Sequence, residues 1–206
     1  MNRHMRSTST MLLVLAAIGS FPAAAASSQF FIEGELGGQT VTGDAKDLLK
    51  SSGVSFGGGL GYEVTPMFAL VGHGDLGVHD GNSDLEGFID NGVTLTLSIG
   101  GRVLPFGEKA DLPFQPYLGV GVGRSAVVWS YTPQASFVIG DDSDGLAGWT
   151  GIFEAGGDFR ASRLISLGLG AQFHLNSWDN ETTHHLDASS FDSQVIRYIG
   201  HMTLHL

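Results

Sequence analysis

The residues of this 206-residue chain that could do chemistry are charged and imidazole side chains that alternate with other residues. Carboxylates, guanidinium groups and imidazoles can pair as ions, bind metal ions or exchange protons. Side chains two residues apart in an extended strand point to the same side. The alternation therefore predicts that these groups share one face of a sheet. The set comprises Glu33, Glu35, Glu63, His73, Asp75, Arg102, Glu154, Asp158, Arg160, His174, Arg197 and His201.

A face that carries so many charges must be either wet or internally paired. An unpaired charge that is removed from water is costly, so buried carboxylates need cationic partners. We interpret the set as a salt-bridged polar network in the interior of the molecule, which fixes the register of the strands. The alternative is a narrow, gated conduit or a small-ligand cavity, for which glycines on the same face would leave room.

Other histidine and aspartate positions are weak candidates for metal binding. His184 and His185 lie among acidic residues, but adjacent side chains in an extended chain point to opposite sides. His201 and His205 share a face, yet four residues of strand separate them by about 13 Å, too far to share one ion. The acidic run at 141–145 contains only part of the ligands of a calcium loop. The sequence thus predicts no metal site and no cofactor.

The stretch at residues 114–123 shows the kind of element that positions the polar face. It places Phe114, Leu118 and Val120 on one side, and Tyr117 and several glycines on the other. A strand with one apolar face and one glycine-rich face suits a wall that curves tightly around a small interior. The alternating segments, this one included, are 29–40, 54–63, 67–79, 92–104, 114–129, 148–160, 165–176 and 192–206.

The connections between these segments differ systematically in length. Long polar loops are predicted at 42–52, 80–91, 130–147 and 177–191, tight turns at 65–66 and 161–163, and a turn of moderate length at 105–113. Long loops at one end and short turns at the other are typical of outer-membrane barrels, and a soluble lipocalin-like barrel has no physical reason to sort its loops in this way. Each segment is long enough to cross hydrocarbon when tilted. The sequence therefore predicts an all-β fold, an eight-stranded antiparallel up-and-down transmembrane β-barrel.

Aromatic residues occur near both ends of the predicted strands. Trp129, Tyr131, Trp149 and Trp178 lie near the long loops, whereas Tyr62 lies near a short turn. Tryptophan and tyrosine concentrate where a membrane meets water. These five residues are predicted to be membrane-interface aromatics.

The N-terminus and the composition indicate an exported chain. Two basic residues, Arg3 and Arg6, precede an apolar core at 11–18 and small residues at 23–26. This pattern predicts a signal peptide at residues 1–26, which leaves 27–206 as a single barrel domain. The formal net charge of −11 excludes nucleic acid as a partner, because phosphate binding needs a basic patch. The chain has no cysteine, so disulfides cannot stabilise it.

Three features of the sequence resemble a known family: the signal peptide, the eight alternating strands and the run Pro116-Tyr117-Leu118-Gly119-Val120-Gly121-Val122-Gly123. They resemble the small outer-membrane β-barrel proteins, the OmpA-like and opacity-type group. The resemblance implies location in the outer membrane of a Gram-negative bacterium, contact with outer-membrane lipids and lipopolysaccharide, insertion by the barrel assembly machinery, and a monomeric state. Members often end in an aromatic residue, whereas this chain ends in His205 and Leu206.

One enzyme class shares the predicted architecture. Outer-membrane lipid A deacylases are eight-stranded barrels that use a serine activated by a histidine, and their pattern is close to His-x-Ser-Asn. Here Asn176 precedes Ser177, and strand alternation directs His174 inward, away from a lipid substrate. The sequence therefore predicts a protein that is not an enzyme and has a structural or surface-interaction role. The alternative is a narrow low-conductance pore for small solutes, followed by a lipid A-modifying enzyme.

Overall fold

The computed structural model describes residues 30–47, 49–81, 88–107, 113–162, 164–178 and 192–206. The predicted signal peptide at 1–26 and the loop residues His184 and His185 lie outside these ranges.

Eight antiparallel strands close into one barrel, in which each strand pairs with its neighbours in sequence. The last strand also pairs with the first, from His205 opposite Phe31 to Ser193 opposite Gly43. The predicted eight-stranded antiparallel up-and-down β-barrel is confirmed. The strands are β1 (Phe30–Gly43), β2 (Ser52–Thr65), β3 (Phe68–Asp80), β4 (Ile89–Val103), β5 (Phe114–Tyr131), β6 (Ser143–Arg160), β7 (Ile165–Trp178) and β8 (Asp192–His205).

The barrel wall has an apolar outer face and a polar inner face. Along β1, Ile32 and Leu36 are exposed on the outside, whereas Glu33, Glu35 and Gln39 are buried inside. The exposed Leu, Ile, Val and Phe side chains continue around all eight strands. This distribution is the reverse of a water-soluble protein and fits a barrel surrounded by hydrocarbon.

Six of the eight strands are longer than the sequence predicted, because backbone pairing continues into polar residues, whereas β3 and β8 are not. The connections 44–51, 81–88, 132–142 and 179–191 lie at one end of the barrel, which we call the loop end. The connections 66–67, 104–113 and 161–164 lie at the other, the turn end, together with Phe30 and Leu206. Connection 104–113 is longer than either of the first two loops, 44–51 and 81–88, so the ends differ less in loop length than the sequence predicted.

The connection between β5 and β6 contains a short helix, α1 (Pro133–Ile139), where the sequence predicted only loop. Thr132 caps it by accepting a hydrogen bond from the Ala135 backbone N–H, and Pro133 occupies its first turn. Gly140 ends the helix in the left-handed conformation, at a φ of 88°. No helix in the described ranges is long and apolar enough to span a membrane.

The barrel interior is layered along its axis. At the loop end, buried apolar side chains form a cluster that we call the loop-end plug. A smaller apolar cluster of Phe31, Ala69 and Val71 lies toward the turn end, and polar residues fill the space between the two. The plug consists of Leu49, Ile89, Val127, Trp129, Leu146 and Trp178.

Two of the five aromatic residues predicted to lie at the membrane interface belong to the plug instead. Trp129 and Trp178, predicted to face the membrane interface, are buried inside the barrel, and Tyr131 packs against the same cluster. Both tryptophans lie near the loop end of their strands, as the sequence predicted. Strand alternation, however, puts Trp129 on the same inward face as Ser125, and Trp178 on the same inward face as His174. Trp149 is exposed on the outer face, where the prediction placed it. The fifth aromatic, Tyr62, lies next to the exposed Phe30, with 4.8 Å between the ring centroids.

Candidate functional site: the polar interior

The predicted polar residues all occupy inward positions of the strands. Most of them are buried, while His73, Glu154, Asp158 and Arg160 are half-buried. The buried members are Glu33, Glu35, Glu63, Asp75, Arg102, His174, Arg197 and His201.

Arg102 on β4 is the centre of one group of charges. Its Nη1 donates to Glu33 Oε2 at 2.9 Å and its Nη2 to Glu33 Oε1 at 3.2 Å. Its Nε donates to Glu154 Oε1 at 2.9 Å, and its guanidinium carbon lies 4.1 Å from the centre of the Tyr117 ring. Gly119 pairs with both Arg102 and Glu154 in the sheet, so no side chain separates the two charged groups. This group joins strands β1, β4, β5 and β6.

Arg197 on β8 is the centre of a second group. Its Nη1 lies 2.6 Å from Asp75 Oδ1 and 3.3 Å from Glu35 Oε2, and it donates to Gln172 Oε1 at 2.5 Å. In the sheet, Arg197 pairs with Gln39 on β1 and with Gln172 on β7, and its side chain is buried inside the barrel. The second group joins β1, β3, β7 and β8.

Four histidines border the two groups. His73 Nδ1 lies 3.2 Å from Glu35 Oε1, and His201 Nε2 lies 2.6 Å from Asp158 Oδ1. His174 is fully buried beside Gln172. At the turn end, His205 Nδ1 lies 3.9 Å from Glu63 Oε1, and its Nε2 lies 3.0 Å from Ser166 Oγ.

Sequence reasoning missed a third polar group beneath the plug. Gln39 Nε2 donates to Thr94 Oγ1 at 2.7 Å and to His79 Nε2. The other ring nitrogen of His79 donates to the Lys50 carbonyl at 3.0 Å. The predicted segment 67–79 includes His79, and the alternation that places His73 and Asp75 inward also places His79 inward. The sequence analysis did not follow the alternation to this last residue of the segment.

The space left between these side chains is small. One cavity of about 20 Å³ is lined by residues that include His73, Asp75 and Glu154. A second of about 10 Å³ lies beneath the plug, and a third of about 30 Å³ lies near the turn end. Volumes of this size hold about one or two water molecules each. The side chains of the described interior are therefore closely packed, with room for only a few water molecules in each of these cavities.

The positions of His174 and Ser177 decide whether this pair can act in serine catalysis. His174 is buried on the inward face of β7, whereas Ser177 is exposed on its outward face. A histidine can activate a serine only within hydrogen-bond reach. These two side chains point to opposite sides of the wall.

Comparisons with known proteins agree with this architecture. Residues 11–192 match the family described as outer membrane protein beta-barrel domain. No curated protein matches the sequence. Among solved structures, Neisserial surface protein A (NspA) is 11% identical, with a TM-score of 0.60, over 87% of this chain and 99% of that one. OprG from Pseudomonas aeruginosa is 15% identical, with a TM-score of 0.56, over 87% of this chain and 96% of that one. Ail, the attachment invasion locus protein of Yersinia pestis, is 13% identical, with a TM-score of 0.52, over 87% of this chain and 97% of that one.

Proposed function

Because the chain belongs to the outer membrane protein β-barrel domain family, we propose that it is a sealed barrel with a structural and surface-interaction role. Family membership implies location in the bacterial outer membrane. The barrel would anchor the chain in that membrane and present its loop end outside the cell, as outer-membrane barrels do.

The packed interior is the observation that carries this proposal. The loop-end plug, with Trp129 almost completely buried, covers the polar groups from one side. Below it, Arg102 and Arg197 draw side chains from most of the strands toward the axis. A low-conductance pore for small solutes needs a continuous wet path, and cavities of one or two waters do not supply one.

The loop end supports the surface-interaction part of the role. On α1, Phe137 is 91% exposed and Val138 is 80% exposed, although both are apolar. Adjacent exposed apolar side chains on a surface helix favour a contact with lipid or protein. Ail is named as an attachment protein and NspA as a surface protein, and we extend a surface role to this chain only as part of the proposal.

The partners follow from the same proposal. Outer-membrane lipids and lipopolysaccharide would contact the apolar outer face, and the barrel assembly machinery would insert the chain after export by the signal peptide at 1–26. The protein would act as a monomer. We propose no enzyme activity for it, since the catalytic pair that the sequence suggested, His174 and Ser177, lies on opposite faces of β7.

Conductance in planar bilayers tests the sealed interior. We expect the purified, folded barrel to give no discrete conductance steps under conditions in which a general porin, measured in parallel, does. Discrete steps from the wild-type barrel would overturn the sealed scaffold and favour the small-solute pore.

A spin label tests the surface contact in the same proteoliposomes. The Cys-free chain accepts a single nitroxide through Phe137→Cys. In membranes whose outer leaflet contains lipopolysaccharide, we expect the label to be more accessible to oxygen than to a water-soluble relaxation agent. A label at Ser136→Cys on the same helix serves as the control. Equal aqueous accessibility at both positions would contradict the proposed contact.

A further inference from the structure

We propose that the barrel interior binds one divalent metal ion of the zinc class through Glu33, Glu35 and His73. One potential ligand atom from each of these side chains lies within 4.8 Å of the others. No metal site was predicted from the sequence, in which Glu33 and Glu35 are far from His73. The site goes beyond the proposed surface role.

Strand register brings the three side chains together. Glu33 and Glu35 share the inward face of β1, and His73 lies on β3. Between them on β2, Gly59 pairs with both Glu33 and His73. A Cβ at Gly59 would lie 3.3 Å from His73 Nδ1. The glycine thus keeps the space between β1 and β3 free for the three side chains to meet.

Buried atoms at the site lack hydrogen-bond partners. Glu35 Oε1 and both ring nitrogens of His73 have none among the described residues, although the two side chains are 0% and 8% exposed. His73 Nδ1 lies 3.2 Å from Glu35 Oε1 without hydrogen-bond geometry. Two ligands of one tetrahedral zinc ion, each bonded at about 2.0–2.1 Å, are roughly 3.4 Å apart. The spacing therefore suits two ligands of a common ion.

The surrounding charges favour a divalent cation. Arg102 pairs with Glu33 and Glu154, and Arg197 pairs with Glu35 and Asp75. Two guanidinium groups thus serve four carboxylates. Because His73 must be neutral to bind a metal ion, this arrangement leaves two formal negative charges in a buried space when His73 is a ligand. Uncompensated buried charge is strongly unfavourable, and one divalent ion would balance it.

The ligand set identifies the class of ion. An imidazole with two carboxylates is typical of zinc and similar transition metals, whereas calcium and magnesium prefer oxygen ligands alone. Each carboxylate has lone pairs to spare, so Glu33 can accept from Arg102 and still bind a metal. The adjoining cavity of about 20 Å³, lined in part by His73, has room for one water as a further ligand.

Metal binding by the chelator-treated, refolded barrel in detergent tests this site. All measurements use a His184→Ala, His185→Ala background, which removes the loop histidines as competing ligands. We expect calorimetry to show one zinc ion bound per barrel. We also expect zinc to raise the temperature at which the barrel unfolds when it is heated in SDS. His73→Gln should weaken zinc binding by more than about tenfold. The control, His205→Gln, removes another inward histidine and should bind zinc as the background does.

A second measurement covers the case in which His73→Gln does not fold. Cu²⁺ bound to the background protein should show the electron spin-echo modulation of a remote imidazole nitrogen. Absence of zinc binding by the background protein, unchanged affinity in a folded His73→Gln variant, or absence of imidazole modulation would each overturn the proposal.

Discussion

At the scale of single residues, the interior depends on guanidinium groups shared between carboxylates on different strands. Arg102 is 3% exposed and holds Glu33 on β1 and Glu154 on β6 at the same time. A planar guanidinium can donate in several directions within one plane, which a lysine cannot do. Breaking a buried ion pair by removing one partner leaves a charge that neither water nor protein compensates.

We therefore expect Arg102→Met to destabilise the folded barrel by about 3–5 kcal/mol, because Glu33 and Glu154 lose their shared cation. Methionine keeps much of the volume, so the effect reports charge more than packing. The free energy of unfolding in urea, measured in lipid bilayers, gives the value.

Arg124→Met is the matched control on the neighbouring strand. Arg124 is exposed and lies 5.2 Å from the Trp149 ring centre, a contact worth about 0.5–1 kcal/mol. Equal losses in the two variants would contradict the role of Arg102.

At the scale of elements, inward glycines decide which large side chains the narrow barrel can hold. Tyr117 on β5 pairs with Gly156 on β6, which pairs with Gly170 on β7. Because neither glycine has a side chain, the buried Tyr117 ring lies across both strands and contacts Arg102. The ring thus fills a volume that two side chains would otherwise occupy.

Gly156→Ala should destabilise the barrel by about 1–3 kcal/mol through overpacking. Its Cβ would lie 2.5 Å from the Tyr117 hydroxyl and 2.6 Å from the Leu169 carbonyl oxygen, and the backbone atom cannot move aside. Gly151→Ala, on the outer face of the same strand, has no atom within 4 Å of its Cβ and should change the unfolding free energy little. Urea unfolding of the two variants side by side makes the comparison. Equal stability of both would show that the Tyr117 contact does not limit residue size at position 156.

Strand alternation accounts for most of what the sequence predicted correctly, and its limits account for the errors. It placed Glu33, Arg102 and Arg197 on the inward face, because a period of two needs no knowledge of the partner strand. Trp129 and Trp178 were misassigned because residue type was weighed above strand position. The contact between His73 and Glu35 depends on the register of β1, β2 and β3 together, which one strand's pattern does not specify.

At the scale of the whole molecule, closure of the barrel satisfies the backbone of every strand. The β1–β8 pairing leaves no open sheet edge, and hydrocarbon offers no water to hydrogen-bond with one. The family resemblance drawn from the sequence is confirmed by the match over residues 11–192. Closure depends on the pairing of the first strand with the last. A cross-link between these two strands therefore tests closure independently of the family match.

A disulfide across the β1–β8 seam tests closure in the folded protein. Thr40 and Ile196 pair directly, and both face outward. Paired residues of antiparallel strands have Cα atoms about 4.5–5.5 Å apart, within the range of a disulfide. Because the chain has no native cysteine, Thr40→Cys with Ile196→Cys should form one intramolecular bridge on mild oxidation of the folded barrel. Mass spectrometry of the peptides and non-reducing gels after boiling would detect it.

The offset pair Thr40→Cys with Tyr198→Cys provides the control, because diagonal neighbours lie about 7–8 Å apart, beyond easy reach of a bridge. We expect this pair to oxidise much more slowly within one chain. Preferential bridging of the offset pair would mean that β8 is shifted by two residues against β1. Such a shift would keep every β8 side chain on its own face but move Arg197 away from Glu35 and Asp75, so the seam register and the interior ion pairs would be wrong together. Bridges formed only between different chains would instead mean that β1 and β8 meet in an oligomer and that the single-chain barrel does not close.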